Sequence, residues 1–173
     1  MIRQAIEADI PAIAATYTRL LTYERDKGSF SNWQLGVYPT VKVPEAKVPT
    51  GTMYVLEESG KIRASMVLNK EQAEEYQDIA WTYAAAPEQV LVIHTLCIPP
   101  DCAGQGCGTR MVAYAKEFAQ NHGCTVIRID TYAHNEPAKA LYKKNGFRIA
   151  GWGRILLQGL IAEDQVYLEC KVE

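Results

Sequence analysis

The chain changes apolar rhythm several times along its length. Ile2 to Ala5 forms a short strand-like run, and Asp9-Ile10-Pro11 sets an N-cap before a proline in a first helical turn, which predicts a helix to about Glu24. MYVLEE and KIRASMVLN, joined at Ser59-Gly60, read as a hairpin, while KEQAEEYQDIAWTYA is helix-prone, short and expected to cap a sheet. VLVIHTLCI is nearly unbroken apolar sequence up to Pro99-Pro100 and predicts a central strand buried on both faces. Met111, Val112, Ala115, Phe118 and Ala119 then recur at helical spacing until Gly123. CTVIRIDTYA reads as a strand, NEPAKALYKKNG as a helix closed by Gly146, and FRIAGWGRILL and DQVYLECKV as two further strands. Such alternation predicts an α/β (α+β) architecture around a mixed sheet.

With 173 residues, 48% of them hydrophobic, the chain suits one domain spanning residues 1–173. VYPTVKVPEAKVPTG, with three prolines, is expected to be a surface loop within it. A formal net charge of -2 offers no general attraction to nucleic acid or anionic membrane. The N-terminus MIRQAIEADIPAI carries acids, and no run approaches the ~20 apolar residues of a membrane span. A cytoplasmic protein is therefore expected. Cys97, Cys102, Cys107, Cys124 and Cys170 show no CxxC spacing, which argues against zinc and a disulfide scaffold; no metal site is expected.

Candidate chemistry begins at DCAGQGCGTR, residues 101–110, a glycine-rich loop between a strand and a helix, where backbone N–H groups can face an anion. The Lys-Ser/Thr of a P-loop is missing, and Thr109 stands where a dinucleotide fingerprint starting at Gly104 needs its third glycine. A tight turn alone is the plain alternative. GQGCGTRMV after a strand, followed about thirty residues later by NxxAxxLYxxxGF, resembles the GNAT superfamily of acetyl-coenzyme A-dependent N-acetyltransferases.

That resemblance implies a central mixed sheet of about six to seven strands with helices on both faces, and acetyl-coenzyme A as co-substrate. It implies that the N–H groups of Gly104, Gln105, Gly106, Cys107, Gly108 and Thr109 hold the coenzyme pyrophosphate. Ala103 stands where the family has a leading Arg or Gln, so that side-chain contact is missing. Asn135 matches a coenzyme-contacting Asn, and Tyr142 the Tyr often proposed to protonate the departing thiolate. Leu96, Cys97 and Ile98 match the strand that pairs with the pantetheine arm, the Leu96 N–H being suited to polarise the thioester carbonyl.

His94, two residues before Leu96 and hence about 7 Å back on the same strand face, is the candidate base, with a core histidine as the alternative. Tyr142 could instead simply pack its helix on the sheet. His134 and His122 are read as decorating helix ends, and Asp130 as lining an acceptor pocket or forming a cap or salt bridge. Cys107 is expected to be a small buried thiol, although a redox pair with Cys102 is a rival reading.

The acceptor site is expected in residues 23–50, 70–87 and Gly151 to Glu163, which hold Tyr23, Phe30, Trp33, Tyr38, Tyr76, Trp81, Tyr83 and Trp152 with Glu24, Glu74 and Glu75. Aromatics with carboxylates suit a small-molecule amine, and core packing is the alternative. The expected activity is acetyl transfer to a primary amine of a small molecule or peptide in a ternary complex. The alternative is a non-catalytic acyl-coenzyme A-binding module of the same fold. No nucleic acid or membrane partner is expected, and exposed sheet edges would allow a homodimer.

Overall fold

The computed structural model describes residues 1–173. Its strands are β1 (Ile2–Gln4), β2 (Met53–Glu58), β3 (Lys61–Asn69), β4 (Val90–Cys97), β5 (Val126–Tyr132), β6 (Arg148–Leu157) and β7 (Ile161–Lys171). Its helices are α1 (Ile10–Lys27), α2 (Lys42–Lys47), α3 (Cys107–Asn121) and α4 (Glu136–Lys144). The strands form a seven-stranded mixed sheet of order β1-β2-β3-β4-β5-β7-β6, in which β4 and β5 are parallel. The chain divides into two compact units, and β4 and α3 each begin in one and end in the other.

The first unit comprises Met1–Ser29, Trp33–Leu68 and His94–Met111. In α1, with proline in its opening turn, Ile13, Tyr17, Leu21 and Glu24 recur three to four residues apart and form the buried stripe. Ile13 and Tyr17 of this stripe, Met53 and Val55 of β2 and Cys97 of β4 belong to one core with Ala5, Ile62 and Val67. Each large apolar side chain fully buried there contributes about 1.5–3 kcal/mol. One element departs from expectation: the proline-rich segment contains α2. Pro44 falls in its first turn, where a missing N–H breaks no helical bond.

The second unit comprises Phe30–Asn32, Asn69–Ile93 and Val112–Glu173. β7 runs antiparallel to β5 from Val126↔Lys171 to Tyr132↔Gln165, and antiparallel to β6 on its other side, and its residues 165–170 are buried on both faces. The predicted helix over residues 70–84 is replaced by an irregular strap with a single 3-10 turn at Glu74–Asp78. Tyr76, Ile79 and Trp81 all pack against a core of Val90, Val92 and Tyr167. They are three and then two residues apart, a spacing that a straight helix cannot direct to one side. The Trp81 indole donates to Tyr76 O at 2.8 Å, and the N–H groups of Thr82 and Tyr83 donate to Glu169 at 2.7 and 3.2 Å.

Candidate active site

In the first unit, β4 leads through a 3-10 turn at Pro100–Cys102 into the glycine loop and α3. Gly104 and Gly106 have φ of +70° and +78°, and a Cβ on either would meet nothing within 4 Å. Glycine is thus required there by backbone conformation rather than by crowding from the protein. None of the N–H groups of Gly104 to Thr109 donates to a backbone carbonyl; the first such bond at this end of α3 is Arg110 N–H to Gly106 O at 3.1 Å. A row of free donors at a positive dipole end is an anion cradle, and it fits a pyrophosphate.

A side-chain cluster stands beside the loop. Gln105 donates to Asp101 O at 2.8 Å and accepts from Arg63 Nη2 at 2.5 Å. Glu58 lies 3.5 Å from Arg63 Nε and also pairs with Arg110. Two guanidinium groups share one carboxylate, so positive charge remains next to a loop in which Ala103 offers no polar side chain. Arg63 went unnoticed in the sequence because it sits on β3, 42 residues before Gln105.

β4 carries the second feature. Its pairing with β5 covers only Val90↔Val126, Leu91↔Ile127 and Val92↔Arg128, although the strands continue to Cys97 and Tyr132. Thr95 adopts φ +48°, a rare conformation for a β-branched residue, and its hydroxyl is hydrogen bonded to Tyr38 Oη at 2.7 Å. The left-handed residue interrupts regular pleating between His94 and Leu96, so the same-face argument for His94 does not carry over. His94, Leu96 and Ile98 are half-buried. Cys97 is fully buried 3.7 Å from the Thr16 hydroxyl, and burial pushes its thiol up to about 12. All five cysteines are free and buried, and burial also raises the Cys102 thiol, the wrong direction for a nucleophile.

The second unit holds Asn135 and Tyr142. Asn135 is the N-cap of α4: its side-chain oxygen accepts from Ala138 N–H at 3.1 Å and its amide donates to the Thr131 hydroxyl at 3.4 Å. The amide is thereby committed to the helix start. Tyr142 is 3% exposed and packs against Phe147 at 5.4 Å between ring centroids. Burial, with the Asp130 charge nearby, holds its phenol well above the ordinary range, so the O–H stays protonated at neutral pH. His122 stacks on Phe118 at the end of α3, 3.8 Å between centroids, in the structural role expected of it.

A polar face of β5 and β7 in the same unit includes Asp130, singled out from sequence, together with Arg128, Gln165 and Glu169, which were not. Arg128 lies opposite Glu169, Asp130 opposite Tyr167, and Tyr132 opposite Gln165. Asp130 accepts from the Tyr76 hydroxyl at 2.6 Å, and Arg128 lies 4.3 Å over the Trp81 ring. Of the residues expected at an acceptor site, Tyr76 and Trp81 join this face, Trp152 is exposed on β6, and Tyr23 and Phe30 are exposed. Glu74 and Glu75 are exposed, whereas Glu24 is buried in α1.

Burial raises the Glu163 carboxyl from 4.5 to about 7. Between those values the folded protein retains a proton that the unfolded chain releases, so this group's contribution to stability is full below pH 4.5 and lost as pH rises through 7. Glu163→Gln is accordingly expected to stabilise the protein by about 1–3 kcal/mol near pH 8 and to be neutral below about pH 4.5, in urea unfolding at both. An equal effect at both would remove the titration account.

Residues 15–147 match the acetyltransferase (GNAT) family. The uncharacterized N-acetyltransferase YhfO of Bacillus subtilis is 25% identical over 87 residues, a match covering 48% of this chain and 58% of that protein. The chain spans about half the length of the curated relatives it matches, 58% and 37%. Among solved structures, a GNAT-family acetyltransferase of Streptococcus agalactiae superposes with a TM-score of 0.80 at 19% identity, over 100% of this chain and 95% of that one. N-acetylglutamate synthase of Neisseria gonorrhoeae, solved with coenzyme A and N-acetyl-glutamate, gives 0.65 at 17% identity, over 100% of this chain and 35% of that one. At such identities the structural likeness is one of fold. The family match extends over well more than half of the sequence, and the chain belongs to the acetyltransferase (GNAT) family.

Proposed function

We propose that the protein transfers the acetyl group of acetyl-coenzyme A to a primary amine by direct attack in a ternary complex. The observation that carries this reading is the run of free N–H groups from Gly104 to Thr109 at the start of α3, in a chain of this family. Acetyl-coenzyme A supplies an activated acyl group as a thioester. The loop N–H groups hold its pyrophosphate, and Arg63 and Arg110 add positive charge beside them. The β4 backbone at Leu96, Cys97 and Ile98 aligns the pantetheine arm, and the Leu96 N–H donates to the carbonyl oxygen, where negative charge grows during attack. An amine must be neutral to attack, and His94 is the residue assigned to take its proton. Tyr142, kept protonated by burial, donates its phenolic hydrogen to the departing sulfur. The raised phenol is a weaker acid than a free tyrosine, so its assistance is modest.

Thiol release over a panel of primary amines tests this. Tyr142→Phe is expected to lower kcat about tenfold with the coenzyme KM unchanged, because the lost interaction belongs to the transition state. An unchanged kcat would remove the acid role. Coenzyme binding without turnover on any amine would favour the non-catalytic module, a reading that Ala103 keeps open.

A further inference from the structure

On β7, Glu163 and Gln165 lie one pleat apart on the same face, with Tyr132 of β5 on one side of Gln165 and Gly153 of β6 on the other. Gln165 Nε2 donates to Glu163 Oε2 at 2.9 Å. With the carboxyl ionised, as near pH 8, that bond fixes the amide orientation, because the flipped form would set two oxygens against each other. The Asn32 side chain also hydrogen bonds to the Glu163 carboxyl group, yet one oxygen of each residue, Glu163 Oε1 and Gln165 Oε1, is buried without a hydrogen-bond partner, in residues 5% and 2% exposed. Neighbouring Asp130 adds negative charge, and none of the ion pairs involves Glu163 or Asp130.

Two buried acceptors without donors, in a negative environment, call for a ligand rich in N–H and positively charged. A primary ammonium group provides three donors and one charge, whereas a hydroxyl provides one donor and none. No group of three metal-ligating side chains exists here, which disfavours a metal ion. Asp130 and Tyr132 beside the pair are half-buried, so solvent reaches this face from its β5 side. We infer that Glu163 and Gln165, flanked by Asp130, form the subsite that receives the protonated amino group of the acceptor. The inference rests on the N-acetyltransferase reading for calling that ligand an acceptor; the binding chemistry stands on the side chains alone.

The test titrates n-butylammonium and 1-butanol into the protein and into E163Q and Q165L, by NMR near pH 8, with and without coenzyme A. E163Q keeps the side-chain shape, and circular dichroism establishes that both variants are folded. The expected result is ammonium binding weakened about tenfold or more in each variant, with butanol binding weaker than ammonium in the parent. Equal ammonium affinity in parent and variants, no measurable ammonium binding, or equal binding of the alcohol would overturn the proposal. Amine specificity that survives without any thiol release would sink the transfer reading alone. Turnover with an unchanged amine KM in E163Q would sink this subsite alone.

Discussion

Gly106→Val is expected to reduce coenzyme A affinity by a hundredfold or more, about 3 kcal/mol, while leaving the protein folded. At φ +78° a β-branched residue is strained by about 1–2 kcal/mol, which the loop relieves by moving its N–H groups out of their common direction. A Cβ at this position would meet no protein atom within 4 Å, so the expected loss comes from the backbone change and not from a clash with the protein. Gly159→Val is the matched control: Gly159 has φ +69° and equally open surroundings, but lies in the turn between β6 and β7. Calorimetric titration of coenzyme A should separate the two, with affinity lost only at Gly106. Unchanged affinity in Gly106→Val would refute the cradle.

Glu169→Ala is expected to destabilise the protein by about 3–4 kcal/mol, lowering Tm by about 10 °C. The carboxylate is fully buried and accepts from the N–H groups of Thr82 and Tyr83 and from Arg148 at 2.6 Å. Its removal leaves two backbone donors and a guanidinium without their acceptor, and deprives Arg128 of a charge that offsets its burial. The strap holding Tyr76 over Asp130 should loosen, read as faster amide exchange at Thr82 and Tyr83. A change below about 1 kcal/mol in urea unfolding would show that the strap is held by its aromatic packing alone.

The stretch from Val90 to Phe147 was legible because its signals are local: an apolar β-branched run ended by prolines, glycines before a helical stripe, and a capped amphipathic helix. Less legible features depend on distant partners. α2 was hidden by three prolines, of which only Pro44 falls inside it, in the first turn that tolerates it, and the strap lost its predicted helix to the packing demands of Tyr76, Ile79 and Trp81. Nothing in HTLC announces the left-handed Thr95, whose hydroxyl partner, Tyr38, is 57 residues away. The contribution of Arg63 to the loop likewise depends on β3 lying near it. Gln165 and Glu169 lie in a strand that the sequence predicts, and Glu163 just before it, with no signal that these polar side chains are buried. Glu169 is covered by the strap, whose Thr82 and Tyr83 N–H groups bond to it from 87 and 86 residues away, a contact that no single strand announces.

Direct acetyl transfer from coenzyme to amine, with no acetylated protein on the way, is tested by mass spectrometry of single-turnover mixtures. Mixed with acetyl-coenzyme A alone, the protein should stay unmodified and release no thiol; on adding a primary amine, acetylated amine and free coenzyme A should appear together in equal amounts. An acetylated protein before amine is added, or bound coenzyme that remains acetylated across the whole amine panel, would contradict it.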